Sequence, residues 1–272
     1  MEFASEATRL HPGRKLGQSA RMPIRAVIFD LFDTLIDLHY DRVSRDLHAG
    51  RPIMPTARSL HAAVTEHAEV DFGRFIDALF AVDHEILHPR YARDIEVPTE
   101  ERFAAVVERL GIDAPQLSRR LTEIHMGAIR ERTVVVPQHA DLLAEFHGRF
   151  RLGLCSNFSH TATALSILEA SGLDRHFDAI AISEEVGFRK PRSEIFEVTL
   201  ERLGVGADEA LHVGDNLHAD VQGAAAAGIA SVWITRRVPE AERRLQEFDG
   251  PAPDFVIADL AELIQVLDTS GS

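Results

Sequence analysis

Ile24-Arg25-Ala26-Val27-Ile28-Phe29-Asp30-Leu31-Phe32-Asp33-Thr34-Leu35 is the stretch from which the rest of this chain can be read. The run from Ile24 to Phe29 has the apolar, β-branched character of a short strand, and Asp30 follows it directly. An aspartate in that position reads either as a turn residue capping the next helix or as a group delivered to one edge of a sheet. The remainder of the chain decides between the two.

Beyond residue 136, short β-like runs alternate with helical patterns. Strands are predicted at 151–155, 179–182, 210–213, 231–234 and 255–257. Helices are predicted near 161–170, 194–203 and 219–227, with a last one ending near Leu267. Strand–helix alternation with short connections predicts an α/β fold, a Rossmann-like parallel sheet with helices on both faces. In such sheets ligands bind at the carboxyl ends of the strands, so Asp30 and its counterparts are the residues to inspect.

Residues 37–136 read differently. Apolar spacings of three and four recur in Phe72, Phe75, Ile76, Leu79, Phe80 and again in Leu117, Leu121, Ile124, Ala128. Pro98-Thr99-Glu100-Glu101 and Asp113-Ala114-Pro115 carry helix-start signals, and strand character is slight. The segment predicts an inserted all-helical cap of roughly 100 residues, a size that suits a small domain. The expected organisation is a poorly ordered leader at 1–22, an α/β core from 23–36 and 137–272, and a helical cap at 37–136. The tail from Thr269 is expected to fray.

Composition narrows the function. The chain has 272 residues, 45% of them hydrophobic, enough for one large domain or two unequal ones. It has no run near the ~18 apolar residues that span a bilayer, so no membrane partner is expected. The leader mixes Glu2 and Glu6 with Arg9, Arg14 and Lys15 around no apolar segment, which weighs against a secretory signal. Cys155 is the only cysteine, so no intrachain disulfide can form and a cytoplasmic location is expected. The formal charge of −14 disfavours nonspecific nucleic-acid binding, so no nucleic-acid partner is expected. No sequence signal points to a particular oligomeric state. Only Lys15 and Lys190 are lysines; the other 27 basic residues are arginines.

The strand ends carry a coherent set of groups. After the first strand stand Asp30, Phe32, Asp33 and Thr34; after the next, Ser156-Asn157. Ser183 to Pro191 follows, with Lys190 near its end, and then Gly214-Asp215-Asn216-Leu217-His218-Ala219-Asp220. An aspartate nucleophile splits a phosphoryl transfer into two easier displacements. A hard divalent cation such as Mg²⁺ takes one or two carboxylates, and Asp30 and Asp215 meet that need. A metal and Lys190 would relieve the repulsion between an attacking carboxylate and an anionic substrate. Ser156 and backbone N–H groups near Phe32 and Asn157 can donate to substrate oxygens. In a chain that otherwise prefers arginine, Lys190 suggests a need for a compact point charge. Ser156 also reads as a simple helix cap, and Asp220 equally as the cap of the helix it starts. Cys155 reads as buried filler, and His218 as a solvent-facing residue rather than a ligand of Mg²⁺.

Taken in order, these motifs resemble the haloacid dehalogenase superfamily, in the branch with a helical cap inserted after the first strand. The resemblance runs from Ile24 to the C-terminus. Asp30 and Thr34 match its first motif, Ser156 the second, Lys190-Pro191 the third, and Gly214-Asp215 with Asp220 the fourth. By resemblance, Asp30 is the nucleophile, and Mg²⁺ is held by Asp30, the backbone carbonyl of Phe32 and Asp215, with Asp220 a ligand or a neighbour of one. The resemblance implies a phosphatase for a small phosphorylated metabolite, working through an aspartyl-phosphate on Asp30. Its substrate is expected to be a small anionic molecule.

One residue departs from the phosphatase pattern. Family phosphatases place a second aspartate two residues after the nucleophile, and here Phe32 occupies that position. Dehalogenases of the family carry an aromatic there, so a 2-haloacid dehalogenase is the alternative, and a binding protein on a degraded catalytic scaffold is a third. The fourth motif favours the phosphatase, because carboxylates beside the nucleophile call for a cation among them. Asp33 is a candidate substitute for the missing acid. Schiff-base phosphonate chemistry is excluded, since 37–136 contains no lysine. Within that segment Arg42, Arg45 and Arg51, on a stretch with Gly50 and Pro52 that can form a flap, are candidate binders of a substrate anion.

Overall fold

The structure is a computed structural model that describes residues 23–39 and 46–270. The leader 1–22, Arg42 and Arg45 lie outside the described residues. Six strands, Ala26–Phe29, Arg151–Ser156, Ala179–Ile182, Ala210–Gly214, Ala230–Ile234 and Phe255–Ile257, build one sheet. The first begins two residues after its predicted start, the other five fall within a residue of their predicted bounds, and every pairing in the sheet is parallel. This is the α/β fold that the alternation predicts.

The alternation of side chains explains the layering. Val27 and Phe29 turn to one face, where they join Leu152, Leu154, Leu211 and Val213. Ala26 and Ile28 turn to the other, against Phe196, Leu200 and Leu203 of the helix Ser193–Leu203. Both faces are covered, as a parallel sheet requires. Each large side chain buried this way contributes about 1.5–3 kcal/mol relative to its exposed state.

Ala26–Phe29 lies in the interior, between Arg151–Ser156 and Ala210–Gly214. From it the chain moves outward to Ala179–Ile182, then crosses back and continues on the other side. The order reverses between Ala26–Phe29 and Ala210–Gly214, which is where such sheets open a crevice for ligands. Asp30 stands at that point, its N–H donating to the Val213 carbonyl at 2.9 Å.

The helices Ala57–Thr65, Phe72–Val82, Thr99–Leu110 and Leu117–Arg130 enclose a core of their own, including Leu60, Val64, Phe75, Phe103, Val106 and Leu121. Asp71 starts one of them by accepting from Arg74 N at 3.1 Å. The region also holds strands where little strand character is expected. Ile36–Leu38 pairs antiparallel with Thr133–Val135, and Leu47–His48 with Arg51–Pro52. Two or three residues are too few to establish a period in sequence, and here pairing rather than pattern makes the strand. No helix among the described residues is long and apolar enough to cross a membrane.

Candidate active site

The sheet edge gathers the residues singled out at the strand ends. Lys190 is 3% exposed and its ammonium donates three hydrogen bonds: to Asp30 Oδ1 (2.6 Å), Asp220 Oδ1 (2.7 Å) and the Cys155 carbonyl (2.7 Å). All three N–H groups of the ammonium are thereby used. Carboxylate oxygens of Asp30, Asp215 and Asp220 lie within 4.8 Å of one another.

Local sequence explains how each arrives there. Gly214 ends its strand with Asp220 packed on its Cα; a Cβ at 214 would stand 2.2 Å from Asp220 Cγ, so only glycine fits. Asn216 accepts from the N–H groups of His218 and Ala219 and starts the helical stretch that carries Asp220. Asp220 Oδ2 in turn accepts from Asn216 N at 2.9 Å. Trp233, on the neighbouring strand, donates to the Asp215 carbonyl at 2.7 Å. Gly187, at φ +86°, turns the chain into the loop that ends at Lys190.

The charges are unbalanced. Three carboxylates share one ammonium, and their titration reflects it. Burial raises Asp30 to about 6; Lys190 pulls against that rise and Asp220 adds to it. Burial, then Asp30, Asp220 and Asp33, raise Asp215 to about 8. Asp220 is different: burial works against its charge, but Lys190 and His212 outweigh burial and hold it well below the usual carboxylate range. Burial also disfavours the charge on Lys190, yet Asp220 and Asp30 raise its pKa overall. Asp30 and Asp215 thus form an all-oxygen pair whose repulsion a hard cation would remove, and this donor set fits Mg²⁺.

The remaining predicted site residues are engaged in different ways. Asn157, expected to contact substrate, uses both ends of its amide on Lys190: Nδ2 donates to the Lys190 carbonyl (2.9 Å) and Oδ1 accepts from its N–H (2.7 Å). Asp33, the candidate acid, sits at φ +57° with Oδ1 accepting from Leu38 N (3.1 Å) and Arg237 Nε (3.2 Å), so its carboxylate is committed elsewhere. Arg51 stacks over Phe80 at 3.8 Å, a cation–π contact rather than a free guanidinium. Asp220 is occupied by Lys190, His212 and a backbone N–H. Phe32 packs its ring on Phe158 with centroids 5.0 Å apart. Ser156 is buried at the end of its strand, and Thr34 Oγ1 is buried without a hydrogen-bond partner among the described residues.

His212 escaped the sequence reading. It lies fully buried beneath Asp220, Nε2 to Oδ1 at 3.0 Å, with Phe196 edge-on to its ring. Burial, and secondarily Lys190, lower its pKa against the pull of Asp220. A carboxylate only accepts, so Nε2 carries the hydrogen. A single polar residue inside the run Ala-Leu-His-Val-Gly was the available signal.

An interior aspartate at the switch point, with a buried lysine on it and further carboxylates beside it, makes a candidate hydrolase site. A family model described as haloacid dehalogenase-like hydrolase matches residues 24–228, and the chain belongs to that family. It is 33% identical over 257 residues to phosphoserine phosphatase of Thermus thermophilus, covering 88% of this chain and 98% of the relative. It is 34% identical over 167 residues to the pyrimidine 5'-nucleotidase YjjG of Escherichia coli, covering 61% and 69%. Among solved structures, the fold is similar to that of 2-haloacid dehalogenase from Pseudomonas syringae, with a TM-score of 0.67 at 23% identity, covering 90% and 99%.

Proposed function

We propose that this hydrolase is a Mg²⁺-dependent phosphatase for a small phosphorylated metabolite. The observation that carries the reading is Lys190, buried and hydrogen-bonded to both Asp30 and Asp220, with Asp215 alongside. An enzyme that attacked a neutral carbon would gain nothing from a third carboxylate here, whereas a metal-assisted attack on phosphorus would. The names of two relatives at 33–34% identity, a phosphoserine phosphatase and a pyrimidine 5'-nucleotidase, support the same chemistry.

In this reading Lys190 grips Asp30 Oδ1 and leaves Oδ2 to attack phosphorus. A bond forms between Oδ2 and phosphorus, and the bond from phosphorus to the substrate alcohol breaks. Water then cleaves the aspartyl-phosphate, releasing phosphate and restoring Asp30. Asp30, Asp215 and the Phe32 carbonyl are the residues we assign to Mg²⁺, which when bound neutralises charge on the transferring group. Thr34 and Ser156 are assigned to its oxygens; a substrate acceptor would relieve the cost of about 1–3 kcal/mol that an unpaired buried hydroxyl such as that of Thr34 carries. With Phe32 at the acid position and Asp33 engaged by Arg237, the leaving alcohol draws its proton from solvent. That favours substrates with good leaving groups. The helices of 57–130 are assigned the role of cap over the site, and the buried lone thiol of Cys155 accords with a reducing cytoplasm.

Screening phosphate esters with and without EDTA tests the reading: turnover that needs Mg²⁺ and vanishes in Asp30→Asn is expected. Metal-independent turnover, or none on any ester, refutes it. One observation favours a second reading, a 2-haloacid dehalogenase: the Phe32–Phe158 aromatic pair next to Asp30. Halide release from 2-chloropropionate that persists in EDTA distinguishes it.

A further inference from the structure

The loop that carries Lys190 is attached to the helical region as well as to the sheet. Residues 94–99 run beside it. Ile95 bridges Phe188 antiparallel, Glu96 N donates to the Gly187 carbonyl (3.0 Å), and Arg189 N donates to the Asp94 carbonyl (2.9 Å). Thr99 N donates to the Ser159 carbonyl (2.9 Å), and the hydroxyls of the two residues are 2.8 Å apart.

At the centre of this seam is Glu96, a carboxylate 1% exposed. Its Oε1 accepts from the Tyr91 hydroxyl (3.0 Å) and Val97 N (2.9 Å). Its Oε2 accepts from Arg189 Nη1 (2.6 Å) and from the Ser183 hydroxyl. Arg189 also stacks over the Tyr91 ring at 4.1 Å. Ser183 Oγ accepts from Phe158 N at 2.9 Å, and Phe158 adjoins Asn157, whose amide clamps the Lys190 backbone. One side chain therefore holds both flanks of the lysine: the residue before it directly, and the Asn157 loop through Ser183. Burying a charge among four donors is costly unless the arrangement is well satisfied, and satisfied networks of this kind hold their members in one geometry.

We propose that Glu96 is a positioning residue for Lys190. Reaching from the helical region into the core, it sets Arg189 and the lysine loop, so that docking of the 94–99 segment and placement of the ammonium on Asp30 are one event. It touches no reacting atom. The inference rests on Lys190 as a working group of the proposed phosphatase, but its test does not need turnover.

Lys15 and Lys190 are the only lysines in the chain, which gives a direct readout. Protein labelled with ¹³C at lysine Cε has two methylene environments in a ¹H–¹³C correlation spectrum, and Lys15→Arg assigns them. The wild-type Lys190 signal should stand apart from that of free lysine. In Glu96→Ala, measured where circular dichroism shows a folded protein, it should move toward the free-lysine position or broaden. Glu96→Gln keeps an acceptor for Arg189 and Ser183 and should leave it near the wild-type position. Leu121→Ala, a cavity in the helical core away from the seam, lowers stability and should not move it. On an ester that the wild type hydrolyses, Glu96→Ala should lose kcat on the order of 10²-fold with KM little changed, as a misplaced catalytic group would. A folded Glu96→Ala with an unmoved Lys190 signal overturns the positioning role whatever the activity. An inactive wild type whose Lys190 signal nonetheless shifts in Glu96→Ala overturns the phosphatase reading and supports the positioning.

Discussion

Replacing Asp215 by asparagine should make the metal-free protein more stable. In the fold, burial and the nearby Asp30 and Asp220 raise Asp215 from 3.8 to about 8. A carboxylate whose folded pKa is raised contributes stability that is fully present below 3.8 and is lost as pH rises through the folded value. At pH 7 the loss spans about 3 pH units at 1.36 kcal/mol each, an upper bound of about 4 kcal/mol. Asp215 is only partly covered, so water screens part of this, and about 2 kcal/mol is the expected gain for Asp215→Asn. For a chain of this size that is about 4–8 °C in Tm. The assay is thermal unfolding in EDTA at several pH values from 5 to 8. Wild-type Tm should fall across that window, and the variant's should fall less. Adding Mg²⁺ at about 100 times its dissociation constant should stabilise the wild type by about 2.7 kcal/mol and the variant by much less, erasing the variant's advantage. A variant no more stable than wild type in EDTA refutes the electrostatic reasoning. Equal stabilisation of both by Mg²⁺ removes Asp215 from the metal site.

Three further outcomes follow from the same geometry. Phe32→Asp should raise ester hydrolysis, since a positioned acid is worth about 10²–10⁴-fold; initial rates across esters of different leaving-group pKa check this, with the largest gain on the poorest leaving groups. Gly214→Ala places a Cβ 2.2 Å from Asp220 Cγ and should cost at least about 2 kcal/mol, read by denaturant unfolding. Lys190→Met leaves Asp30 and Asp220 without their shared cation and should destabilise by about 3–5 kcal/mol at pH 7, less at pH 5, where protonation of Asp30 relieves part of the cost.

The sheet was legible because its strands are short apolar runs punctuated by polar ends, a pattern that each strand completes locally. Asp30, Lys190, Asp215 and Asp220 stood out for the same reason: each follows a recognisable run, and a parallel sheet brings such ends to one edge. Asn157 shows where that logic stops. It stands at a strand end like the others, yet its amide serves the Lys190 backbone, 33 residues away in sequence. Asp33 and Arg237 are 204 residues apart, and no local pattern pairs them. Arg51 reads as an anion binder from its charge and its place beside Gly50 and Pro52, while its contact with Phe80 depends on a hairpin too short to leave a period.

Glu96 is the sharpest case. In sequence it is one of 43 acidic residues, flanked by Ile95 and Val97, with nothing to set it apart except that apolar setting. Its partners Ser183 and Arg189 lie 87 and 93 positions downstream. What the sequence determined by itself was the α/β class and the chemical inventory at the sheet edge, because backbone propensity and side-chain alternation act locally. What only the tertiary structure decided was which of those groups are free to act and which are already bonded. A hydrogen bond or buried charge pair depends on distance in space, and folding sets that distance between residues that the chain itself keeps far apart.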